Sequence, residues 1–272
     1  MVAPPISYLF ESALKAILEA NAGILKIYEH KQQLDIGYKN DKSPVTQADK
    51  ISSDIICKIL SETGIPVICE ETGQESYTIR KSWKYFWLVD PLDGTKEFIK
   101  RNGEFTVNIA LIQSKTPVMG LISIPVKGLL YWGDIHHGAF KIKIDDIKHT
   151  NYNNLLNQAK KLPVHKKPDA LRVMVSRSHM DNKTLAFLAD LKTKHKTVKT
   201  IAAGSSLKFC YLAEGKADIY VRYSPTMEWD TAAGHAIVLA SGAKIKNLPG
   251  MPNLSYNKKN LRNKGFIVYR KE

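Results

Sequence analysis

The chain has only three cysteines in 272 residues, Cys57, Cys69 and Cys210, odd in number and widely scattered. This excludes a disulfide framework, offers no zinc-ligand spacing, and fits reduced thiols in a cytoplasmic protein. No apolar run approaches the roughly 20 residues that a bilayer-crossing helix needs. The N-terminal Met1-Val2-Ala3-Pro4-Pro5 lacks a basic stretch followed by an apolar core, so a secretory signal is not expected. Internal repeats and low-complexity tracts are missing as well. Acid is the scarcer charge: 26 Asp and Glu stand against 40 Lys and Arg, a formal net charge of +14. Such an excess reads either as a solvated lysine-rich surface or as a preference for anionic partners. Much of it lies between Lys141 and Lys199, in Lys160-Lys161, Lys166-Lys167 and Lys192-Thr193-Lys194-His195-Lys196. Aromatics do not interleave these lysines, so a base-stacking nucleic-acid surface is not expected. Peripheral contact with an anionic membrane, on the cytoplasmic face of an inner membrane, stays open.

What the chain does have is an ordinary globular balance, 44% hydrophobic and 24% charged, enough for one large domain or two intimate halves. The spacing predicts a helix over Ser7–Tyr28, a loop at Asp41–Pro44, and a helix from a capping-box-like Thr46-Gln47-Ala48-Asp49 to Gly64. Strands are expected at Pro66–Cys69, Tyr85–Val89, Thr106–Ile112, Val118–Pro125, Leu129–Asp134 and Ala139–Ile144. The polar, Lys- and Asn-rich Asp145–Asp169 reads as a connection between halves of about 1–145 and 170–272. Beyond it, strands at Leu171–Ser176, Thr197–Ala202, Asp218–Tyr223 and Gly265–Arg270 alternate with helices at Asn182–Leu191, Ser205–Glu214 and Trp229–Ala240. Antiparallel-looking strands followed by alternation imply a layered α/β fold with a cleft between the halves.

The run Asp90-Pro91-Leu92-Asp93-Gly94-Thr95 closes the apolar segment Tyr85–Val89 in a sharp turn. Two carboxylates on such a turn can converge, and magnesium takes one or two protein carboxylates while leaving positions for water and phosphate. Gly94 permits close backbone approach, and Thr95 adds a hydroxyl. Plain turn chemistry is the bland alternative. An aspartyl nucleophile of the Asp-x-Asp-x-Thr kind has its second carboxylate at another offset, and a calcium loop would need ligands where Pro91 and Leu92 stand. Glu70 and Glu71 end a strand, as Asp90 does, so the strand ends could lie side by side. Taken alone, Glu70-Glu71 reads as a solvated strand exit, Asp230 as a helix N-cap, and Asp49 as the partner of Thr46.

Three blocks change that reading: Ser43-Pro44-Val45-Thr46-Gln47-Ala48-Asp49; Glu70-Glu71 with Asp90–Thr95; and Trp229-Asp230-Thr231-Ala232-Ala233-Gly234-His235. In order and spacing they resemble the magnesium-dependent, lithium-sensitive phosphomonoesterase superfamily of inositol monophosphatases and fructose-1,6-bisphosphatases. The segment Lys96–Leu111, with Ser176-Arg177-Ser178-His179 and Gly204–Cys210, looks like the bacterial 3′(2′),5′-bisphosphate nucleotidases of sulfate assimilation. An inositol monophosphatase typically carries Thr-Asn-Phe after the Gly-Thr. Cys69 departs from the Ser common before the Glu pair but touches no expected ligand.

The resemblance implies an αβαβα sandwich with the active site between two halves. It implies one magnesium on Glu70, Asp90 and the Leu92 carbonyl, a second on Asp90, Asp93 and Asp230, and in some members a third, weaker one near Glu70 and Asp49. Asp49 and Thr95 would orient and deprotonate the attacking water. Glu70, Leu92, Asp93, Gly94, Thr95 and Asp230 would also meet the substrate, with the amides of Gly94 and Thr95 around the scissile phosphate. For the second phosphate the candidates are Ser205, Lys208, Arg177 and His179; the bland readings are a solvated lysine and a capping histidine. The implied substrate is a small bisphosphorylated nucleotide, with an inositol or sugar phosphate as the alternative, and the implied assembly a monomer or homodimer.

Overall fold

The computed structural model describes residues 4–30, 36–38, 44–164, 170–177, 180–248 and 254–270. Helix α1 (Ile6–Glu29) follows Pro4-Pro5 and buries Leu9, Phe10, Ala13, Leu14 and Ile17, the spacing of one helical face. A hairpin of β1 (Ile36–Tyr38) and β2 (Pro44–Thr46) leads into α2 (Gln47–Ser61). Pro44 therefore opens a strand where a loop was expected, and residues 41–43 lie outside the described residues. The capping box is present: Thr46 accepts from the start of α2 while Asp49 reaches back to the Thr46 amide. Helix α2 ends at Ser61, short of Gly64, because the Thr63 hydroxyl caps the Leu60 carbonyl at 2.6 Å.

Next come β3 (Val67–Cys69), α3 (Tyr77–Arg80), β4 (Tyr85–Asp93) and a short α4 (Thr95–Ile99) that was not foreseen. A meander follows in β5 (Thr106–Gln113), β6 (Thr116–Ile124), β7 (Leu129–Asp134) and β8 (Gly138–Lys143). The polar stretch read as a connection carries α5 (Tyr152–Gln158) and β9 (Lys160–Lys161), which pairs with β8. Only Tyr152 and Leu155 of α5 are buried, too few apolar positions to announce a helix. The remainder is β10 (Leu171–Ser176), α6 (Asn182–Lys194), β11 (Val198–Ala203), α7 (Leu207–Glu214), β12 (Ile219–Arg222), β13 (Thr226–Met227), α8 (Trp229–Ala240), β14 (Lys244–Asn247), β15 (Arg262–Asn263) and β16 (Phe266–Tyr269).

Two larger sheets organise the described residues. One runs β3-β4-β5-β6-β7-β8-β9 and the other β11-β10-β12-β16-β14. Three apolar cores show how they stack. The first joins α1 and α2 to one face of the long sheet; the second joins its opposite face to α7, α8 and the shorter sheet; the third lies between the shorter sheet and α6. Helix, sheet, helix, sheet, helix is the αβαβα order. Helix α8 lies between the sheets and is apolar nearly all round, as a helix buried on both sides must be. Gly120 in β6 lets it approach: a Cβ there would stand 2.8 Å from the Ala233 Cα. No helix among the described residues is long and apolar enough to cross a membrane.

Strand alternation aims the acids. Trp87 and Val89 of β4 enter the first core, whereas Phe86 and Leu88 enter the second, so Asp90 continues the face towards α8. Ile68 of β3 lies in that second core as well, which puts Glu70 on the same side.

Candidate active site

Strands β3 and β4 are parallel, with Cys69 opposite Val89, and the Glu70 amide donates to the Val89 carbonyl at 3.2 Å. Glu70 therefore sits beside Asp90. Asp90 and Asp93 are three apart, and in a regular strand would point to opposite faces. They do not, because β4 carries a bulge: Asp90 pairs with Asn108 and Asp93 with Thr106, so three steps on β4 match two on β5. Both carboxylates thereby join the face of Asn108 and Thr106. Ser52 Oγ donates to the Pro91 carbonyl at 2.6 Å, and Asp90 Oδ1 accepts the Leu92 amide at 3.2 Å, which fixes the bulge. Gly94, at φ +94, then turns the chain into α4 with Thr95 as its first residue.

From the other side of the cleft, α8 delivers Asp230. Glu228, not Asp230, holds the cap position of that helix, and Asp230 Oδ2 accepts the Met227 amide at 2.8 Å. Glu70, Asp90 and Asp230 each offer a carboxylate oxygen within 4.8 Å of the others. Burial pushes the Asp230 carboxyl well above the usual range, and the charges of Asp93 and Glu70 add to it. Crowded hard oxygens, Asp90 buried and Glu70 and Asp230 half-buried, are the donor set that a hard divalent cation fits.

Asp93 lies outside that triplet of oxygens. Its Oδ2 accepts the hydroxyls of Ser205 and Ser206, each at 2.8 Å. Asp49 Oδ2 accepts the Thr46 amide at 2.7 Å and the Thr46 hydroxyl at 2.6 Å, while Oδ1 accepts the Thr95 hydroxyl at 3.0 Å. Glu70, Asp93, Gly94, Thr95, Ser205 and Asp230 all line one cavity of about 350 Å³.

Of the second-phosphate candidates, Ser205 and Lys208 line the cavity. The buried Lys208 ammonium, however, donates to the carbonyls of Ala203 at 3.2 Å and Ser205 at 2.6 Å. Burial lowers it to about 8, against the pull of Asp93. Lys208 thus braces the turn before α7 and is not a solvated helix lysine. Arg177 does not line the cavity; its guanidinium forks onto Glu104 at 2.7 and 2.8 Å. Burial raises the Glu104 carboxyl, but Arg177 and the Gly204 amide together hold it below its usual value. His179 lies outside the described residues, as do Ser178 and Ser43.

A cation that the sequence does not single out also faces the cavity. Arg222, the last residue of β12, lines the cavity; its Nη1 donates to Ser176 Oγ at 3.3 Å, and its Nε is buried without a hydrogen-bond partner. An arginine at a strand exit facing the cleft was the available signal. Thr106 and Asn108 carry a signal too: both are buried and polar at the start of the hydrophobic run of β5.

Residues 7–269 match the family model described as the inositol monophosphatase family. A relative from Salmonella typhimurium, the 3′(2′),5′-bisphosphate nucleotidase CysQ, is 41% identical over 256 residues, spanning 92% of this chain and 96% of that protein. The crystal structure of CysQ from Bacteroides thetaiotaomicron superposes with a TM-score of 0.89 at 44% identity, covering 98% of both chains. The suhB protein of Bartonella henselae shares the fold at a TM-score of 0.73 and 21% identity, over 97% of this chain and 94% of its own. The resemblance read from the three sequence blocks is borne out, and the chain belongs to the inositol monophosphatase family.

Proposed function

We propose that this chain is a magnesium-dependent phosphatase that hydrolyses the 3′-phosphate of adenosine 3′,5′-bisphosphate to AMP and phosphate. That reaction recycles the nucleotide by-product of sulfate assimilation, and the 3′-phosphorylated sulfate donor, 3′-phosphoadenylyl sulfate, is a second substrate. The observation that carries the reading is the meeting of Glu70, Asp90 and Asp230, from three distant parts of the chain, beside a cavity that also holds a cation, Arg222. Relatives named 3′(2′),5′-bisphosphate nucleotidase support the substrate class.

Glu70, Asp90 and the Leu92 carbonyl would hold one magnesium, Asp90, Asp93 and Asp230 a second, and Glu70 with Asp49 a third, weaker one. When bound, the ions activate water as Lewis acids and neutralise charge on the leaving ribose oxygen. The proton path belongs to the protein. Asp49 Oδ2 is saturated by Thr46, so Oδ1 is the oxygen that takes the Thr95 proton. As that proton moves to Asp49, Thr95 Oγ1 accepts one from the attacking water, and the hydroxyl ends as it began. The amides of Gly94 and Thr95 orient the scissile phosphate, and Arg222 takes the second phosphate, for which guanidinium geometry is suited.

The test is phosphate release from adenosine 3′,5′-bisphosphate, inositol 1-phosphate and fructose 1,6-bisphosphate at equal concentration, with magnesium, with chelator and with millimolar lithium. The expected result is the highest kcat/KM on the nucleotide, abolished by chelator and inhibited by lithium. A higher kcat/KM on inositol phosphate would assign the chain to the other branch. Full turnover by Asp90→Asn would discard the metal reading altogether.

A further inference from the structure

Thr106 and Asn108 sit two apart on β5, both buried, on the face that looks across to the second half of the chain. The proton path above uses neither. Each reaches the turn between β11 and α7. Thr106 Oγ1 lies 2.6 Å from Ser205 Oγ, and Asn108 Nδ2 donates to Ser206 Oγ at 3.1 Å. Just ahead of the strand, Glu104 Oε2 accepts the Gly204 amide at 2.8 Å. Alternate side chains 104, 106 and 108 therefore grip the consecutive residues 204, 205 and 206. Ser205 and Ser206 in turn converge on a single oxygen, Asp93 Oδ2.

Counting protons gives this network a direction. An ionised carboxylate only accepts, and each hydroxyl has one proton to give. Ser205 gives its proton to Asp93, so in the contact with Thr106 its oxygen must accept. Thr106 is then the donor there, in preference to its alternative acceptor, Asn108 Oδ1 at 3.0 Å. Ser206 also has two acceptors, Asp93 Oδ2 at 2.8 Å and the Asp230 carbonyl at 3.1 Å. The nearer, charged one takes the proton, and the Asn108 amide donates into the lone pair that remains. Two chains result, Thr106 to Ser205 to Asp93 and Asn108 to Ser206 to Asp93.

We infer that Thr106 and Asn108 are positioning residues that orient the Ser205 and Ser206 hydroxyls so that Asp93 Oδ2 is saturated and Oδ1 is the oxygen left for a divalent cation. The inference rests on the proposed role of Asp93 as a metal ligand. Groups that hold a ligand from behind affect metal affinity by about 10–100-fold when removed. Here the supporting groups come from the long sheet and the serines from the turn before α7, so the two halves must be correctly seated for Asp93 to be aimed.

The experiment is titration of the substrate-free protein with Mn²⁺, followed by electron paramagnetic resonance and calorimetry. Thr106→Val and Asn108→Leu remove the donors at nearly constant volume, and Thr106→Ser restores one. Wild type is expected to bind two Mn²⁺ tightly and a third only weakly, and each donor-deleting variant to hold one of the tight two about tenfold more weakly. Thr106→Ser returns binding towards wild type. The magnesium concentration for half-maximal activity should rise in parallel, with KM for the nucleotide unmoved. Should the strand variants not fold, Ser206→Ala reads the same chain from its other end and is expected to weaken the same ion. Two Mn²⁺ bound at wild-type affinity by these variants would overturn the positioning role and leave the proposed function standing. No Mn²⁺ bound by wild type would overturn both.

Discussion

Thr95 Oγ1 donates to Asp49 Oδ1 at 3.0 Å, tying the first turn of α4 to the first turn of α2. The pair can pass one proton and no more, since the second oxygen of Asp49 is held by Thr46. Thr95→Val keeps the shape and removes the relay. Steady-state kinetics are expected to show kcat lower by about 10²–10⁴ with KM little changed, and Thr95→Ser recovering most of the loss. Wild-type kcat in the valine variant would remove Thr95 from the chemistry.

Asp230 is costly to the metal-free protein. The residue is half-buried, and desolvation, with the charges of Asp93 and Glu70 after it, raises its carboxyl. Asp230→Asn is expected to raise the Tm of the chelator-treated protein while activity is lost. Calorimetry should also show that magnesium raises the Tm of wild type but much less that of the variant.

How much of this could be read beforehand depended on what each residue had to announce it. The α2 capping box, the hydrophobic run of β4 and the block around Asp230 carry strong local signals, and the structure realises them. The sequence places Asp90 and Asp93 on a turn, but what puts both on one face is a bulge, and a bulge is a property of two paired strands. Lys208 and Arg177 were read as cations available to a ligand; carbonyls of Ala203 and Ser205 hold the first and Glu104 the second, and none of these is a sequence neighbour within a helical turn except Ser205. Arg222 has only a weak local signal, a cation at a strand exit, because nothing beside it in sequence marks the cavity it faces.

Arg222→Met should separate recognition from chemistry. The expected outcome is a KM for adenosine 3′,5′-bisphosphate raised about 10–100-fold, the worth of a charged hydrogen bond, with kcat changed far less. A substrate with a single phosphate should be nearly indifferent to the change. Equal losses on both substrates would count against a second-phosphate role.

His235 gives the fold a pH dependence. Burial lowers it to about 4, and its Nδ1 lies 2.9 Å from the Tyr256 hydroxyl. The unfolded chain takes up this proton near pH 6.5, the folded chain only near 4, so stability is full above the unfolded value and falls as pH drops between the two. The loss is about 3 kcal/mol by pH 4. Urea titrations across that window should show the slope, and His235→Gln should flatten it.

Gly120→Ala tests how α8 is seated. The added methyl meets the backbone of Ala233, which cannot swing away as a side-chain tip would. A destabilisation of about 1–3 kcal/mol is expected from urea midpoints, with the m-value unchanged.

The three clustered carboxylates stand at positions 70, 90 and 230 of the chain. A nascent polypeptide, or one clipped ahead of α8, has the first two and lacks the third. On the proposed metal reading such a chain cannot complete the cation site, so the ion separates chains that carry α8 from those that do not. Fragments left by premature termination or proteolysis should stay empty, hydrolyse nothing and unfold without any help from magnesium.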